Sequence, residues 1–225
     1  MGKPGPHTVI LNQVATEILK PAGMVRIGRS RRWWSDCGYF LVEIEFQPHS
    51  WQKGTFCNIA TIFLWNSDEI VDRHLRWDAC VRVHFTGKLR KALGGDNQFV
   101  AYDGDDEVFR ERCVLVVQEA LRRVERYRQM TDLNYARYYV DEVWDDVNRS
   151  KWRHALSMLE KLAGEEGPEV RRQLIDQIAR RRQQVRELSA YKQLPEEFVV
   201  LEPNQGPFSE SRSWKRRLQR FFMGL

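Results

Sequence analysis

The composition of this 225-residue chain is that of a globular protein with a small positive charge. Hydrophobic residues make up 42% of the chain and aromatic residues 12%, which excludes a disordered polypeptide. The 36 basic residues nearly match the 31 acidic ones, and the net charge of +5 is spread thinly along the sequence. This balance is not that of a strongly basic, dedicated nucleic-acid-binding domain.

The cysteines and the apolar segments indicate the compartment. Cys37, Cys57, Cys80 and Cys113 form no Cys-x-x-Cys pair, so the spacing of a zinc ribbon is absent. The N-terminal segment lacks the apolar core and the cleavage site of a signal peptide, and no apolar run approaches transmembrane length. We therefore expect reduced thiols, a cytoplasmic location, no metal and no cofactor.

The first half of the chain predicts one helix and then a run of strands. Helical spacing of apolar residues begins at Thr8, which can cap the helix, and ends at Lys20 before Pro21 and Gly23. Strand-like alternation or short apolar runs follow in five segments: residues 24–34, 39–47, 55–65, 80–86 and 98–102. The third of these is apolar on both faces, which is typical of a strand covered on both sides of its sheet.

The second half of the chain is predicted to be helical. Apolar residues recur at helical spacing in four segments: residues 106–130, 131–147, 151–163 and 168–191. Because strands come first and helices follow, we expect an α+β fold with an antiparallel or mixed sheet of four to five strands. Three parts are predicted: an α+β domain over residues 1–130, a helical extension over 131–191, and a linker with a basic amphipathic helix over 192–225.

Four stretches of the first half resemble a known bacterial family. They read "LKPAGMVRIGRSRRWW", "VEIEFQ", "FCNIAT" and "CVRVHFTGKL". Residues 8 to about 128 resemble the family catalogued as domain of unknown function 4304, from which Met24, Ala60 and His84 depart. The matching positions are Gly23, Arg26, Gly28, Trp33 or Trp34, Gln47, Asn58 and Arg82. The resemblance implies a role in a bacterial accessory, immunity-like or defence-type system, and it implies no defined activity.

One polar face of the predicted sheet is the first candidate site. Alternation places six residues on this face or near it: Glu43, Glu45, Gln47, Asn58, Arg82 and His84. Glu43, Glu45 and His84 are the candidates for acid–base catalysis in a hydrolase or nuclease. The alternative is a solvated face with cross-strand ion pairs. The strand over residues 55–65 is apolar on both faces, which indicates that this side is not fully open to water, and we expect Arg82 to pair with any carboxylate buried there.

The adjacent tryptophans of the first hairpin extend this candidate site. Because Trp33 and Trp34 are neighbours in a strand, they point to opposite faces, and we expect at most one of them in the core. The other would then be free to contact a ligand. The expected ligand-binding residues are Trp33, Trp34, Gln47, Asn58 and Arg82.

Two basic segments near the C-terminus form a second candidate surface. Their arginines suit phosphate groups and their tryptophan suits base stacking. The same segments are the polar sides of amphipathic helices, which could instead dock on this protein, in a partner's groove or on an anionic membrane. The residues are Arg180, Arg181, Arg182, Arg186, Trp214, Lys215, Arg216, Arg217 and Arg220.

These patterns favour a non-enzymatic bacterial adaptor that acts through protein–protein contacts. A nucleic-acid-binding protein that uses the arginine-rich helices is the first alternative, and its binding would weaken as salt rises. A hydrolase or nuclease built on Glu43, Glu45 and His84 is the second. Another protein is therefore the expected partner, ahead of nucleic acid and of a membrane surface.

Overall fold

The computed structural model describes residues 4–66, 70–71, 74–142 and 148–198. The fold is α+β, as the order of the predicted strands and helices indicates. Within these residues the elements in chain order are α1 (Pro6–Leu19), β1 (Val25–Arg26), β2 (Arg32–Asp36), β3 (Phe40–Gln47), β4 (Gly54–Phe63), β5 (Ile70–Val71), β6 (His74–Leu75), β7 (Ala79–Arg82), α2 (Gly87–Ala92), β8 (Phe99–Ala101), α3 (Asp106–Gln129), α4 (Leu133–Glu142), α5 (Arg149–Leu162), α6 (Pro168–Glu187) and a short 3-10 helix (Ser189–Tyr191).

An antiparallel sheet of six strands forms the centre of the fold. Its order is β1-β2-β3-β4-β7, and β8 pairs with the start of β4 on the same side as β7. Strands β5 and β6 form a separate two-stranded ribbon. The stretch predicted as one strand over residues 24–34 is divided into β1 and the start of β2, so the sheet has one strand more than expected.

Helix α3 lies against the apolar face of β3, together with α1. The carboxylate of Asp105 caps α3 by accepting the backbone N–H groups of Glu107 and Val108, both at 3.0 Å. Near the other end of α3, Arg128 donates to the hydroxyl of Ser35, which stands opposite Val42 on this face. The buried residues of the helix recur at helical spacing: Phe109, Cys113, Val116, Val117, Ala120 and Val124.

Helix α5 extends this apolar layer through one tryptophan. The ring of Trp152 meets Phe40 and Phe63 edge-on, with centroids 5.9 and 5.4 Å away, and stacks on Tyr127 at 5.3 Å. Just before the helix, the side-chain amide of Asn148 donates to the carbonyl of Cys80 in β7 at 3.3 Å. Segments from both the predicted α+β domain and the predicted helical extension therefore contribute to one buried apolar cluster.

Both tryptophans of the first hairpin are buried, so the expectation that at most one belongs to the core is wrong. Trp33 stands opposite Ile44, on the face that α1 and α3 cover. Trp34 lies on the opposite face, where its indole N–H donates to the carbonyl of Ala190 at 3.2 Å and its ring lies 5.8 Å from Tyr191. Alternation shows which side each ring faces, but it does not show that the chain returns to cover the second side.

Arg182 attaches α6 to the first hairpin through a buried ion pair. Its side chain is 1% exposed, and its guanidinium donates to both carboxylate oxygens of Asp36 at 2.8 Å. It also donates to the carbonyls of Gly38 and Pro195, at 2.8 and 2.9 Å. The same carboxylate accepts the N–H of Gly38, which closes the turn after β2. Arg182 is therefore a structural residue, and its assignment to a solvent-facing basic surface is wrong.

Two element boundaries differ from the predicted ones. Helix α1 begins at Pro6, because proline suits the first helical turn, and the hydroxyl of Thr8 accepts a bond from Arg31 instead of capping. Strand β7 ends at Arg82 rather than at residue 86, since the next residues turn toward α2. The predicted linker from residue 199 and the basic segment that contains Trp214, Lys215, Arg216, Arg217 and Arg220 lie outside the described residues.

Gly54 is required where β4 and β8 approach each other. A Cβ atom at this position would lie 2.2 Å from the Val100 carbonyl oxygen and 2.6 Å from the Phe99 ring. We predict that Gly54→Ala lowers the free energy of unfolding by about 1–3 kcal/mol, because β8 has to move. Gly104→Ala is the control, since its φ is also positive but a Cβ there meets no described atom within 4 Å. If urea denaturation gives the same decrease in the free energy of unfolding for both variants, the steric explanation is contradicted.

The Arg182–Asp36 pair gives a second stability prediction. Arg182→Met leaves a largely buried carboxylate without its cation, and we expect the free energy of unfolding to fall by about 3 kcal/mol. Arg180→Met, on the exposed side of the same helix, is the matched control and should change stability by no more than about 0.5 kcal/mol. Denaturant titration of both variants measures the difference, and similar values for the two would show that the buried pair does not hold α6 in place.

Candidate functional site

The sheet face that contains Glu43 is divided into a covered part and an open part. In the strand register, Glu43 stands opposite Trp34, while Asn58 stands between Glu45 and Arg82 on three neighbouring strands. The side chain of Glu43 is fully buried, whereas Glu45 and Arg82 are half-buried. The residues predicted from the sequence therefore belong to two different environments.

The covered part is centred on the Glu43 carboxylate. It forms an ion pair with Arg32, accepts the indole N–H of Trp77 at 2.9 Å and accepts the hydroxyl of Tyr191. Burial alone would lower the pKa of Arg32, but the Glu43 carboxylate raises it above its usual value. Arg82 is not the partner of the buried carboxylate as expected, because β7 lies two strands from β3 whereas β2 is adjacent to it.

The open part holds a hydrogen-bonded network of four predicted residues. The amide nitrogen of Asn58 donates to Glu45 at 3.2 Å and to the side-chain oxygen of Gln47 at 3.0 Å. Arg82 donates to the side-chain oxygens of Asn58 and Gln47, at 3.3 and 2.9 Å. The structure thus brings together four of the six polar residues that alternation placed on this face or near it. The network fixes the side chains of Gln47 and Asn58 in one orientation.

Arg82 is fixed by stacking as well as by hydrogen bonds. Its guanidinium carbon lies 4.1 Å from the centroid of the Phe56 ring, a distance at which cations are attracted to aromatic faces. Among the described residues no carboxylate lies within 4.0 Å of its guanidinium nitrogens. Arg82 is therefore a half-buried cation whose polar partners in the described structure are neutral amides.

An aromatic cluster adjoins the network at Phe56. The ring of His49 lies 5.5 to 5.7 Å from those of Trp51, Phe56 and Phe99. The Nδ1 atom of His49 also accepts the backbone N–H groups of Trp51 and Gln52, which braces the loop between β3 and β4. Trp51 is 89% exposed. Periodicity could not identify this cluster, because His49 and Trp51 lie in a loop. The one available signal was a tryptophan outside every predicted strand.

The network and the cluster form one continuous surface, which we call the Arg82–Trp51 surface. It contains a carboxylate, two amides and a cation across β3, β4 and β7, two half-buried aromatic rings, and the exposed ring of Trp51 in the loop between β3 and β4. Its residues are Glu45, Gln47, Asn58, Arg82, Phe56, His49 and Trp51.

His84 lies apart from the predicted catalytic carboxylates. It follows the end of β7, is exposed, and its ring contacts the side-chain amide of Gln98 at 3.0 Å. Glu43 is enclosed and already accepts three hydrogen-bond donors. The structure therefore does not assemble Glu43, Glu45 and His84 into the acid–base set that a hydrolase or nuclease would need.

The described thiols and acidic groups are the candidates for a nucleophile and for a metal site. Burial raises the pKa of Cys57 to about 12, and partial burial together with the Glu45 carboxylate raises the pKa of the exposed Cys80. Both thiols are protonated at neutral pH and are poor nucleophiles. In the part of the chain that the structure describes, no group of three His, Cys, Asp or Glu side chains could hold a metal ion.

The arginines of α6 do not form one basic row. Arg182 is buried, and Arg186 pairs with Glu196 at 3.0 Å. Arg181 is half-buried and donates to the side-chain oxygen of Gln184 at 3.2 Å. Of the four predicted positions on this helix, Arg180 is the one that is exposed.

No protein-family profile, curated protein or solved structure matches this chain significantly. The resemblance to domain of unknown function 4304 stays a prediction from the sequence motifs. None of the helices in the described ranges combines the length and the apolar character that crossing a bilayer requires. The function must therefore be argued from the surface itself.

The buried cluster around Glu43 makes stability depend on pH through Tyr191. Burial and the neighbouring carboxylate raise the pKa of Tyr191 well above its ordinary value of 10. The folded protein thus holds this proton more tightly than the unfolded chain, and the resulting stability is complete below pH 10 and declines as the pH rises further.

We predict that Tyr191→Phe lowers the free energy of unfolding at pH 7 by about 1.5–3 kcal/mol, because a charged acceptor loses its donor. The difference from the wild type should shrink above pH 10, where the wild type loses the contribution of the Tyr191 proton. Urea denaturation of both proteins between pH 7 and 11 measures this. A difference that stays constant over that range would contradict the assigned role.

Proposed function

We propose that this protein is a non-enzymatic adaptor that binds another protein through the Arg82–Trp51 surface. The observation that supports this most directly is Trp51, which is 89% exposed and packs against the ring of His49. Tryptophan and arginine are the residue types that contribute most binding energy at protein interfaces, and here they occupy one surface. Trp51 and Val9 are the large apolar side chains that the described structure leaves exposed.

The side chains of the Arg82–Trp51 surface are held in place by the fold, which favours a binding role over an incidental exposure of Trp51. The loop that holds Trp51 is braced by the His49 imidazole, and Arg82 is stacked on Phe56 and bonded to two amides. Side chains that are already ordered lose less conformational entropy when a partner binds. The surface is therefore prepared for contact before any partner arrives.

The alternatives have less support from the described geometry. Hydrolysis would require the buried Glu43 or the separated His84. Nucleic-acid binding through the four predicted arginines of α6 has little support, since Arg182 and Arg186 are paired with carboxylates and Arg181 is half-buried. The basic segment beyond residue 199 stays a prediction as a second partner-binding element.

The cellular setting belongs to the same proposal. All four cysteines are free, which suits the reducing cytoplasm. The resemblance to domain of unknown function 4304 supports a bacterial accessory, immunity-like or defence-type system as the context in which the adaptor works.

The experiment is affinity purification of the tagged full-length protein from its native host after nuclease treatment, with mass spectrometry of what is retained. We expect a stoichiometric protein partner. The Trp51→Ser variant should retain at least tenfold less of this partner, because a central tryptophan contributes about 2 kcal/mol or more to binding. Val9→Ser, which changes the other exposed apolar residue, is the matched control and should retain the partner.

Thermal denaturation of both variants checks that they remain folded. Substitution of an exposed side chain should change the free energy of unfolding by no more than about 0.5 kcal/mol. A partner that binds Trp51→Ser as well as the wild type would contradict the proposed surface. Recovery of nucleic acid alone, lost on nuclease treatment, would contradict the protein-binding function.

A further inference from the structure

We infer that the Arg82–Trp51 surface recognises an acidic segment of its partner, an inference that rests on the proposed function. An Asp or Glu side chain of that segment would bind the free edge of the Arg82 guanidinium, and an apolar side chain would pack beside Trp51. The inference concerns which partner chemistry fits, and four features of the surface support it.

The first feature is the unused edge of the Arg82 guanidinium. Its two hydrogen bonds run from Nε to Asn58 and from Nη2 to Gln47, so both fall on the edge that these two nitrogens form. The edge formed by Nη1 and Nη2 has no acceptor among the described residues. Two parallel N–H groups on one guanidinium edge match the two oxygens of a carboxylate.

The second feature is the charge of the site. Asn58 and Gln47 are neutral, and no described carboxylate forms an ion pair with Arg82, so its positive charge lacks a close counterion. Arg182, by contrast, has the carboxylate of Asp36 bound to it in a bidentate arrangement. A carboxylate supplied by a partner would complete at Arg82 the pairing that the fold itself completes at Arg182.

The third feature favours an acidic side chain over a nucleic-acid backbone. Glu45 belongs to the same network, since its carboxylate accepts the amide of Asn58. A chain of phosphates that reached Arg82 would also meet this negative charge. A single carboxylate flanked by neutral residues avoids repulsion from Glu45. A neighbouring N–H group of the same partner segment can donate a hydrogen bond to the Glu45 carboxylate.

The fourth feature is the aromatic side of the surface. His49 and Phe56 connect Arg82 to Trp51 through ring contacts of 4.1, 5.7 and 5.5 Å in succession. A peptide segment a few residues long can therefore place a carboxylate at Arg82 and an aliphatic or aromatic side chain at Trp51. The two anchors together define a short acidic–apolar motif.

The test is selection of a phage-displayed library of 12-residue random inserts on the full-length wild-type protein. Fixed sequence flanks each insert on both sides, so any selected carboxylate comes from a side chain and not from a chain end. We expect enrichment of Asp or Glu at one position, together with an aliphatic or aromatic residue nearby. The consensus is then synthesised with both ends blocked, and its dissociation constant is measured by isothermal titration calorimetry.

A thermodynamic cycle separates the carboxylate contact from general effects. Replacing the peptide's acidic residue by its amide should weaken binding to the wild type about tenfold, and Arg82→Gln should weaken binding of the acidic peptide to a similar degree. The amide peptide should bind the wild type and Arg82→Gln equally, because the contact is already absent. Arg180→Gln is the control for loss of charge elsewhere. The peptide substitution requires no change in the protein, so it remains decisive if Arg82→Gln fails to fold.

The outcomes distinguish this inference from the function on which it rests. Selected peptides that need Trp51 but show no acidic preference would overturn the inference and leave the protein-binding surface intact. Peptides that bind Trp51→Ser as well as the wild type would overturn both. A third outcome is that no peptide is selected and that an end-blocked oligothymidine probe binds in a way that depends on Arg82. This outcome would show that the free guanidinium edge binds phosphate, and it would overturn both the inference and the proposed function.

Discussion

The buried carboxylate of Glu43 determines how this sheet is enclosed. Its donors come from three distant parts of the chain: Arg32 in β2, Trp77 before β7 and Tyr191 after α6. A carboxylate removed from water without such partners costs several kcal/mol, so the three segments have to be in place together. The enclosure of this part of the sheet thus depends on the hydrogen-bond partners that one carboxylate needs.

Two arginines show how the same side chain serves opposite purposes in one fold. Arg182 is buried, and a carboxylate and two carbonyls of the chain accept from its two terminal nitrogens. Arg82 is stacked on a ring and bonded to amides, which orients it without neutralising it. The first arrangement holds an element in position, and the second keeps a charge ready for a contact outside the chain. Sequence composition alone treats the two residues as equivalent.

Local periodicity was sufficient for the central strands of the sheet and for part of the candidate site. Alternation over residues 39–47 and the doubly apolar run over 55–65 correspond to β3 and to the central β4, and they placed Gln47, Asn58 and Arg82 on one face. Contacts between distant segments could not be predicted in this way. The covering of Trp34 by residues near Tyr191 follows from how the helices return to the sheet, which no strand pattern encodes. A loop has no period, so the cluster around Trp51 became visible only in three dimensions.

The lengths of the outer strands constrain how another protein can attach. Strand β1 has two residues, and the opposite side of β4 is divided between β7 with four and β8 with three. Joining a sheet by adding a strand requires a longer row of unpaired backbone groups, and short or interrupted edges suppress that kind of association. At β7 one outward carbonyl is already bonded to Asn148. The described sheet therefore offers a binding partner its side chains rather than main-chain hydrogen bonds, so recognition depends on which residues the partner presents. The short edges also disfavour the indiscriminate strand pairing that leads to aggregation.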